Sequence, residues 1–497
     1  MQNNHELIKQ RQEKLEKLES MGINPYPVRC QRTHQIKQFL DQQDTLLQSK
    51  ETVYLTGRIT SHRRQGRIGF THLMDMSGKV QVFVRQDTIG EQQYELYKLL
   101  DLGDFIQAQG QAVVTQTGEY SLLATEIVLL SKNMRPIPTV KEKEVEGKIV
   151  RYDEFSDIEL RYRKRYLDLL LNPEHRQCFE TRSRIISFVR QFMDQRDFLE
   201  VETPILQPLY GGANARPFVT HHHTLDLDLY LRIATELYLK RLIIGGFEKV
   251  YEIGKNFRNE GMDRTHNPEF TAIEMYQAYT DLEGMIELTE SLLNSIAQSL
   301  FAKEIVIYGE NSISLQKPFQ RVGMLDLIEK YTGEDFSDFN EQKIKKYIQD
   351  HQVACDTNAG LGKMIATLFE HYVEHHLVQP TFVVDYPLEI SPFAKNHPEH
   401  PQKVERFELF IAGKEFANAF SELNNPVEQR KRLEQQVKQK EKGDEEANVV
   451  DEDFLEALEY GMPPMGGLGI GIDRLVMLFT NNASIKEVIL FPQMKPE

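Results

Sequence analysis

From Val53 to Lys132 apolar and polar residues alternate in short runs separated by turn residues, the period of half-buried strands. The runs VYLTGRIT, RIGFTHLMD, KVQVFVR, DFIQAQGQAVVTQ and SLLATEIVLLSK predict five strands, with MSGK and QTGEY as turns and Asp87–Leu102 as one longer connection. Five such strands predict an OB-fold β-barrel over residues 46–134. Before it, ELIKQRQEKLEKLESMG sets Leu7, Leu15 and Leu18 on a sparse apolar stripe among charges. That stripe predicts a helical arm over residues 1–45, solvated and loosely packed. Residues 135–160 read as a charged connector that begins with prolines. Beyond it Ile185, Phe188, Val189 and Phe192 recur at helical spacing, and FLEVETPIL reads as a strand ending at Pro204.

The densest chemistry falls on Lys249–Tyr279, which reads as two strands joined by a polar loop, Gly261–Pro268. Alternation puts Glu252, Gly254, Asn256, Arg258 and Glu260 on one face of the first strand, with Tyr251, Ile253 and Phe257 opposite. On the second strand Phe270, Ala272, Glu274 and Tyr276 share a face. A guanidinium, carboxylates, an aromatic ring and a phenol on one surface suit a ligand with both anionic and cationic groups, such as a nucleotide beside an amino acid. A merely solvated hairpin face is the alternative at this point.

Charge narrows the options. The formal net charge is −16, which excludes a protein that coats nucleic acid by bulk attraction, so any RNA binding has to be local. Cys30, Cys178 and Cys355 lie far apart, which excludes a disulfide framework or a cysteine-based zinc site and fits a reducing cytoplasm. The N-terminus is unlike a signal peptide and no apolar run reaches membrane length, so the expected location is cytoplasmic. At 497 residues the chain has room for two or three domains with sizeable cores.

Three motifs, in order, carry a family resemblance. FRNEG…THNPEFT…E resembles the second signature of the class II aminoacyl-tRNA synthetases, subclass IIb, in the form found in lysyl-tRNA synthetases. GLGIGIDRLVML (Gly467–Leu478) matches the third signature, and Pro204 matches the proline of the first. Similarity runs from about Val53 almost to the C-terminus. The resemblance implies a multidomain chain: the OB-fold barrel for the anticodon, then an α+β catalytic domain over residues 161–497 built on an antiparallel sheet. It implies ATP-dependent activation of L-lysine to lysyl-adenylate with pyrophosphate release, transfer to the 3′ end of tRNA(Lys), Mg²⁺, and a homodimer joined through the helix and strand before Pro204. The connector departs from the pattern, being longer than expected and without the tryptophan often found there.

Site roles follow from the same resemblance. A planar guanidinium can bridge a carboxylate and a phosphate, which makes Arg258 the central residue when an amino-acid carboxylate attacks the α-phosphate of ATP. Arg474 would reach the distal phosphates or adenine, with Gly467, Gly469 and Gly471 leaving room for the nucleotide. Phe270 matches the adenine-stacking ring, Glu260 the adenine-amino contact, and His266 and Asn267 the phosphate-side loop. Glu408 and Glu415 match the Mg²⁺ ligands. Strict alternation sets Glu415 opposite Asn418, so a bulge must intervene for that role. Glu422 and Tyr276 match the contacts to an ε-ammonium, Glu236 and the Gly212 carbonyl those to an α-amino group, and Arg258 and Asn418 those to the carboxylate, while Glu274 adds negative charge. Phe70, Gln81 and Glu126 match positions that read anticodon uridines, with Glu126 opening the last strand; Phe70 as plain core is the alternative. The basic run Arg161, Arg163, Lys164 and Arg165 lies where tRNA could pass, or is a solvated helix end. His221–His223 do not share a strand face and predict no metal. GLGK (Gly360–Lys363) is structural, and Arg430–Glu446 is an exposed helix and loop. Rivals stay open: an aspartate or asparagine enzyme of the same subclass, a silent RNA-binding paralogue, or a protein-lysyl transferase.

Overall fold

Each alternating run near the N-terminus becomes a strand: β1 (Val53–Gln65), β2 (Ile68–Met74), β3 (Lys79–Arg85), β4 (Phe105–Val114) and β5 (Tyr120–Ser131). They close into a barrel in the order β1-β2-β3-β5-β4, the OB-fold read from the pattern. Alternate residues such as Val53, Leu55, Val82, Ile106 and Leu122 are fully buried inside it. The longer connection is helical, Gln86–Ile89 and Glu91–Leu99, and buries Tyr94 and Tyr97. Between β4 and β5 the strands approach so closely that a Cβ at Gly110 would lie 2.0 Å from the Leu123 carbonyl oxygen, which requires glycine.

The computed structural model describes residues 2–138, 141–145, 148–152, 155–355, 360–441 and 448–496, in two units, Met1–Glu154 and Phe155–Glu497. Within the first unit the helix Gln2–Ser20 is not the loosely packed arm expected. Leu18, with Ile36 and Phe39 from the following segment, joins the barrel core, although Leu7 stays 38% exposed. The hold is polar as well. Arg11 is buried and donates to the carbonyl oxygens of Asn133 (3.0 Å), Arg135 (2.9 Å) and Leu102 (3.1 Å). In the connector, β6 (Lys141–Val145) and β7 (Lys148–Tyr152) pair antiparallel.

The second unit opens with the helices Ile158–Arg163, Arg165–Leu171 and Pro173–Asp194, and its first strands are β8 (Leu199–Glu200), β9 (Leu206–Gln207), β10 (Val219–His222) and β11 (Leu227–Leu231), of which the last three form a small sheet. FLEVETPIL is therefore not one strand. The Thr203 N–H and hydroxyl donate to Glu252 Oε2 (3.1 and 2.7 Å) instead of to a neighbouring strand, and Pro204 has no N–H to give. Then come β12 (Lys249–Phe257), β13 (Glu269–Ala278), the hairpin β14 (Ile305–Tyr308) with β15 (Asn311–Ser314), β16 (Gln320–Gly323), β17 (Thr381–Pro387), β18 (Lys403–Ile411), β19 (Lys414–Ser421) and β20 (Met465–Gly471). The main sheet has the order β16-β17-β18-β19-β20-β13-β12-β8, antiparallel except at its two edges. The helices Pro173–Asp194, Leu282–Phe301 and Ile472–Thr480 supply its main apolar core, to which Ile185, Val189 and Phe192 belong.

The arginines of the basic run at Arg161 are engaged within the protein, and Lys164 alone of the four is exposed. Arg165 is wholly buried and donates to Asp168 (2.6 Å) and to the carbonyls of Leu490 (3.0 Å) and Lys486 (2.8 Å). Arg161 reaches Asp168 (2.9 Å) and Glu487 (3.0 Å). Burial works against the Asp168 carboxylate, but hydrogen bonds from Asn172, His175, Arg161 and Arg165 outweigh it and hold the carboxyl down at about 2. A depressed acid stabilises the fold above its unfolded value, so this contribution is lost as pH falls from about 4 through about 2. Asp168→Asn takes the carboxylate from the buried Arg165 and one of two from Arg161, and is expected to cost ~3–5 kcal/mol, read as a lowered unfolding midpoint. The KM values of the folded variant should not move.

Candidate active site

The ligand face rests on the β12–β13 ladder, in which Asn256 pairs with Phe270 and Glu252 with Glu274. Above it opens a cavity of about 370 Å³. Arg258, Glu260, His266, Asn267 and Phe270 line it, as do Gly212, Glu236, Glu274 and Tyr276. Glu408, Glu415, Asn418 and Arg474 come to the same cavity from β18, β19 and the helix after β20. Glu252 does not. It is buried against Arg232 (2.5 Å), and Gly254 makes room, since a Cβ there would lie 2.2 Å from the arginine Nη2. Alternation identified the face correctly, but Arg232 takes one of its carboxylates.

Basic groups gather around the loop. The Arg258 N–H donates to Pro268 O (2.8 Å), its guanidinium lies 5.1 Å from the Phe270 ring centroid, and its Nε is buried without a partner. Asp263 orders the loop by accepting from the N–H groups of Thr265 (2.6 Å) and His266 (2.7 Å) and contacting the His266 ring (2.8 Å). Against the pull of burial, the bonds from His266 and Thr265 hold its carboxyl far below the usual range. The other ring nitrogen of His266 is 3.3 Å from Arg474 Nη2, and Arg474 Nη1 donates to the Glu415 carbonyl oxygen (2.5 Å). Asn267 has both ends of its amide engaged, by Glu269 O (2.6 Å) and the Gln493 N–H (3.3 Å), so it shapes the loop. Asp473, which alternation did not single out, joins Arg182 (2.5 Å) to the Thr271 N–H (2.6 Å) and so fixes the third motif to β13.

Acidic groups gather on the other side of the ladder. Asn256 Nδ2 and the Thr235 N–H both donate to Glu274 Oε1 (3.3 Å each). Glu422 is wholly buried and, alone among the residues expected to contact the amino acid, does not line the cavity. It lies just behind the wall, because a Cβ at Gly467 would sit 2.1 Å from Glu422 Oε1 and 2.5 Å from the Tyr276 ring. Lys240, one turn along the helix Glu236–Ile244, contacts Glu236 and lies 2.5 Å from Glu422 Oε2. Neither Glu422 oxygen receives an aligned hydrogen bond. Burial pushes its carboxyl up to about 8, with Lys240 pulling down and Glu236 adding to the rise. Glu236 is raised by the same burial, and the buried Tyr276 phenol is pushed well above its ordinary value.

Residues 157–495 match the family described as tRNA synthetases class II (D, K and N), and residues 53–130 match the OB-fold nucleic acid binding domain. A lysine–tRNA ligase of Shouchella clausii is 48% identical over 497 residues, covering 99% of this chain and 97% of that protein. That of Carboxydothermus hydrogenoformans is 48% identical over 494 residues (99% and 98%), and that of Bacillus subtilis 47% over 504 (99% and 99%). The chain belongs to the lysine–tRNA ligase family of class II aminoacyl-tRNA synthetases. Enzymes of this family use ATP.

In this synthetase the bulge demanded by the sequence is present. Leu409 pairs with Ala417 and Phe410 with Glu415, which leaves Phe416 over and turns Glu415 into the cavity with Glu408 and Asn418. Arg406, two residues before Glu408 and so legible from alternation, donates to Glu408 (2.6 Å), Asn418 (3.1 Å) and Ser391 (2.9 Å). Burial raises the Glu408 carboxyl, Arg406 opposes the rise and Glu415 adds to it. Two carboxylates that repel one another fit a divalent cation. Among the described residues no set of three or more His, Cys, Asp or Glu side chains is arranged to hold a metal, so phosphate oxygens and water would have to complete the shell.

On the barrel of the synthetase, Phe70 is half-buried and stacks on its cross-strand partner Phe83 (centroids 5.0 Å apart, planes at 7°). Two pairs along, Gln81 lies between His72 and Ser121. It donates to Glu119 Oε2 (2.6 Å) and accepts from the Ser121 hydroxyl (2.9 Å), while His72 lies 3.3 Å from Glu119 Oε1. Glu119, in the turn QTGEY, therefore belongs to this cluster. Glu126 does not: it lies exposed in the middle of β5, opposite Gln109 and beyond the last β3 pairing at Leu123. The start of β5 at Tyr120 and the bulge beside Gly110 separate it from Gln81.

Proposed function

We propose that this synthetase activates L-lysine with ATP, releases pyrophosphate, and transfers the lysyl group from lysyl-adenylate to the 3′ end of tRNA(Lys). The observation that carries the reading is one cavity with the guanidinium groups of Arg258 and Arg474 in one part and the carboxylates of Glu236 and Glu274, backed by Glu422, in another. Lysine offers one carboxylate and two ammonium groups. Arg258, with Asn418, holds its carboxylate against the α-phosphate, and a fork can keep both anions bonded as charge develops. Glu236 and the Gly212 carbonyl take the α-ammonium; Tyr276 and Glu422 take the ε-ammonium. Phe270 and Glu260 take the adenine, and His266 and Arg474 the distal phosphates. Glu408 and Glu415 would hold Mg²⁺, which when bound neutralises phosphate charge. Aspartate would meet carboxylates where it needs cations.

The active form is proposed to be a C2 homodimer through the helix Pro173–Asp194 and the segment to Pro204, in a reducing cytoplasm. Leu199, Ile205, Leu206 and Leu209 are 44–48% exposed around that segment, apolar area a partner copy would cover. The decisive experiment is ATP–pyrophosphate exchange with each of the twenty amino acids. Lysine should support it and aspartate and asparagine should not; the reverse replaces this reading.

The barrel is proposed to read the anticodon through Phe70, Gln81 and Glu119. Phe70→Ala removes a stacking platform worth ~1–3 kcal/mol. Charging of tRNA should weaken accordingly while lysine-dependent pyrophosphate exchange stays intact. An equal loss in both assays would make Phe70 a structural residue.

A further inference from the structure

Lys240 has no place in the chemistry described so far, yet it sits at the centre of the acidic cluster. Its side chain is wholly buried and does not line the cavity. Its ammonium contacts Glu236 and lies 2.5 Å from Glu422, with the rings of Phe393, Phe420 and Phe454 at 4.8, 5.4 and 6.0 Å. The two carboxylates it joins come from separate elements: Glu236 from the first turn of the helix Glu236–Ile244, and Glu422 from the residue just after β19. A buried ammonium enclosed by three aromatic rings has no water to turn to, so it stays where both carboxylates are.

Charge counting shows what this does. When ionised, as two bound ammonium groups require, Glu236, Glu274 and Glu422 bring three negative charges to one place, and Lys240 cancels one. Two remain, the number that a ligand with two ammonium groups neutralises, while its carboxylate is left to Arg258. Unmatched buried charge is costly, so the number of uncancelled carboxylates selects the ligand's charge. We propose that Lys240 is a positioning residue for amino-acid recognition: an internal ammonium that holds Glu236 and Glu422 in register and limits the pocket to two open negative charges. This rests on the reading that those carboxylates hold the two ammonium groups of lysine. Without Lys240 nothing opposes the repulsion between the carboxylates, protonation of one is favoured further, and the ε-ammonium meets less negative charge.

The test uses the full chain with Lys240→Met, which keeps length without charge, and Lys240→Gln, which keeps hydrogen bonding without charge. In lysine-dependent pyrophosphate exchange both should raise the KM for lysine about 10- to 100-fold. The KM for ATP should stay within about twofold, because Lys240 lies behind the cavity wall beside the acidic groups and is assigned no part of the nucleotide. Discrimination against norleucine should narrow, since a protonated carboxyl no longer demands an ammonium. A double variant, Glu236→Gln with Lys240→Met, should be less impaired than the product of its singles, which a purely structural lysine would not produce. An unchanged lysine KM, parallel rises in the lysine and ATP KM values, or full recovery by Lys240→Gln overturns the proposal. Failure of both single variants to fold does so too, by assigning Lys240 to stability alone. Glu236→Gln and Glu422→Gln separate the two levels. If neither changes lysine KM, the reading of the carboxylates is what fails; if they do and the Lys240 variants do not, only the role of Lys240 fails.

Discussion

Arg258→Lys is expected to lower lysine-dependent ATP–pyrophosphate exchange by ~10²-fold or more. The lysine keeps the charge but has one ammonium where the arginine has a planar fork, and two anions have to be held at once. The site is built around that fork: the backbone is fixed to Pro268, the guanidinium lies by the Phe270 ring, and Nε is buried with no protein acceptor. A buried donor without a partner is costly in the empty protein and favours a ligand that supplies an acceptor. The loss should fall on kcat/KM, and the variant should melt near the wild type because no other side chain depends on the guanidinium for an ion pair among the described contacts. Near wild-type exchange in a folded Arg258→Lys chain would remove Arg258 from its central role.

Glu422→Gln is expected to lower kcat/KM for lysine about 10- to 150-fold, the worth of a charge-assisted hydrogen bond of roughly 1.5–3 kcal/mol. Shape and hydrogen-bonding capacity remain, so ATP binding should barely change and discrimination against norleucine should narrow. The wild type should also show a pH signature. The groups facing Glu422 are Lys240, Glu236, Glu274 and Tyr276, and burial raises the Glu422 carboxyl to about 8. Burial therefore resists ionisation of Glu422 in the empty site, and an incoming ε-ammonium favours it. Lysine affinity is expected to rise with pH as the carboxylate ionises, with proton release on binding at the lower pH. For stability the sign is opposite: a raised acid makes the fold less stable as pH climbs from about 4.5, the unfolded value, towards about 8. In Glu422→Gln the pH dependence of lysine affinity should flatten. A variant with unchanged lysine kcat/KM, or one whose ATP affinity falls as far as its lysine affinity, defeats the assignment.

The sequence alone determined the barrel, because period-2 alternation is written in neighbouring residues and closes only one way over five short strands. It also determined the β12–β13 ladder and which residues share its cavity-facing side, and it called for a bulge after the AGK turn if Glu415 and Asn418 were to share a face; the structure puts that bulge at Phe416. What the tertiary structure decided was the destination of charges. Nothing in line marks Arg11, Arg161, Arg165, Arg232 or Lys240 as buried or engaged, yet each has partners remote in the chain or in another element: Arg11 reaches a carbonyl 122 positions away and Arg165 one 325 positions away. The same holds for Glu119, which joins Gln81 only because β3 and β5 run side by side, whereas Glu126 is carried away along β5. A hydrophobic residue announces its burial by its own chemistry. A charged one is buried only when the folded chain brings a counter-charge or a carbonyl to it, because the desolvation cost has to be met by a partner. The identities of the cavity residues could thus be read in line, but which of them are open to a ligand and which are already matched within the protein was settled by the packing of segments remote in the chain.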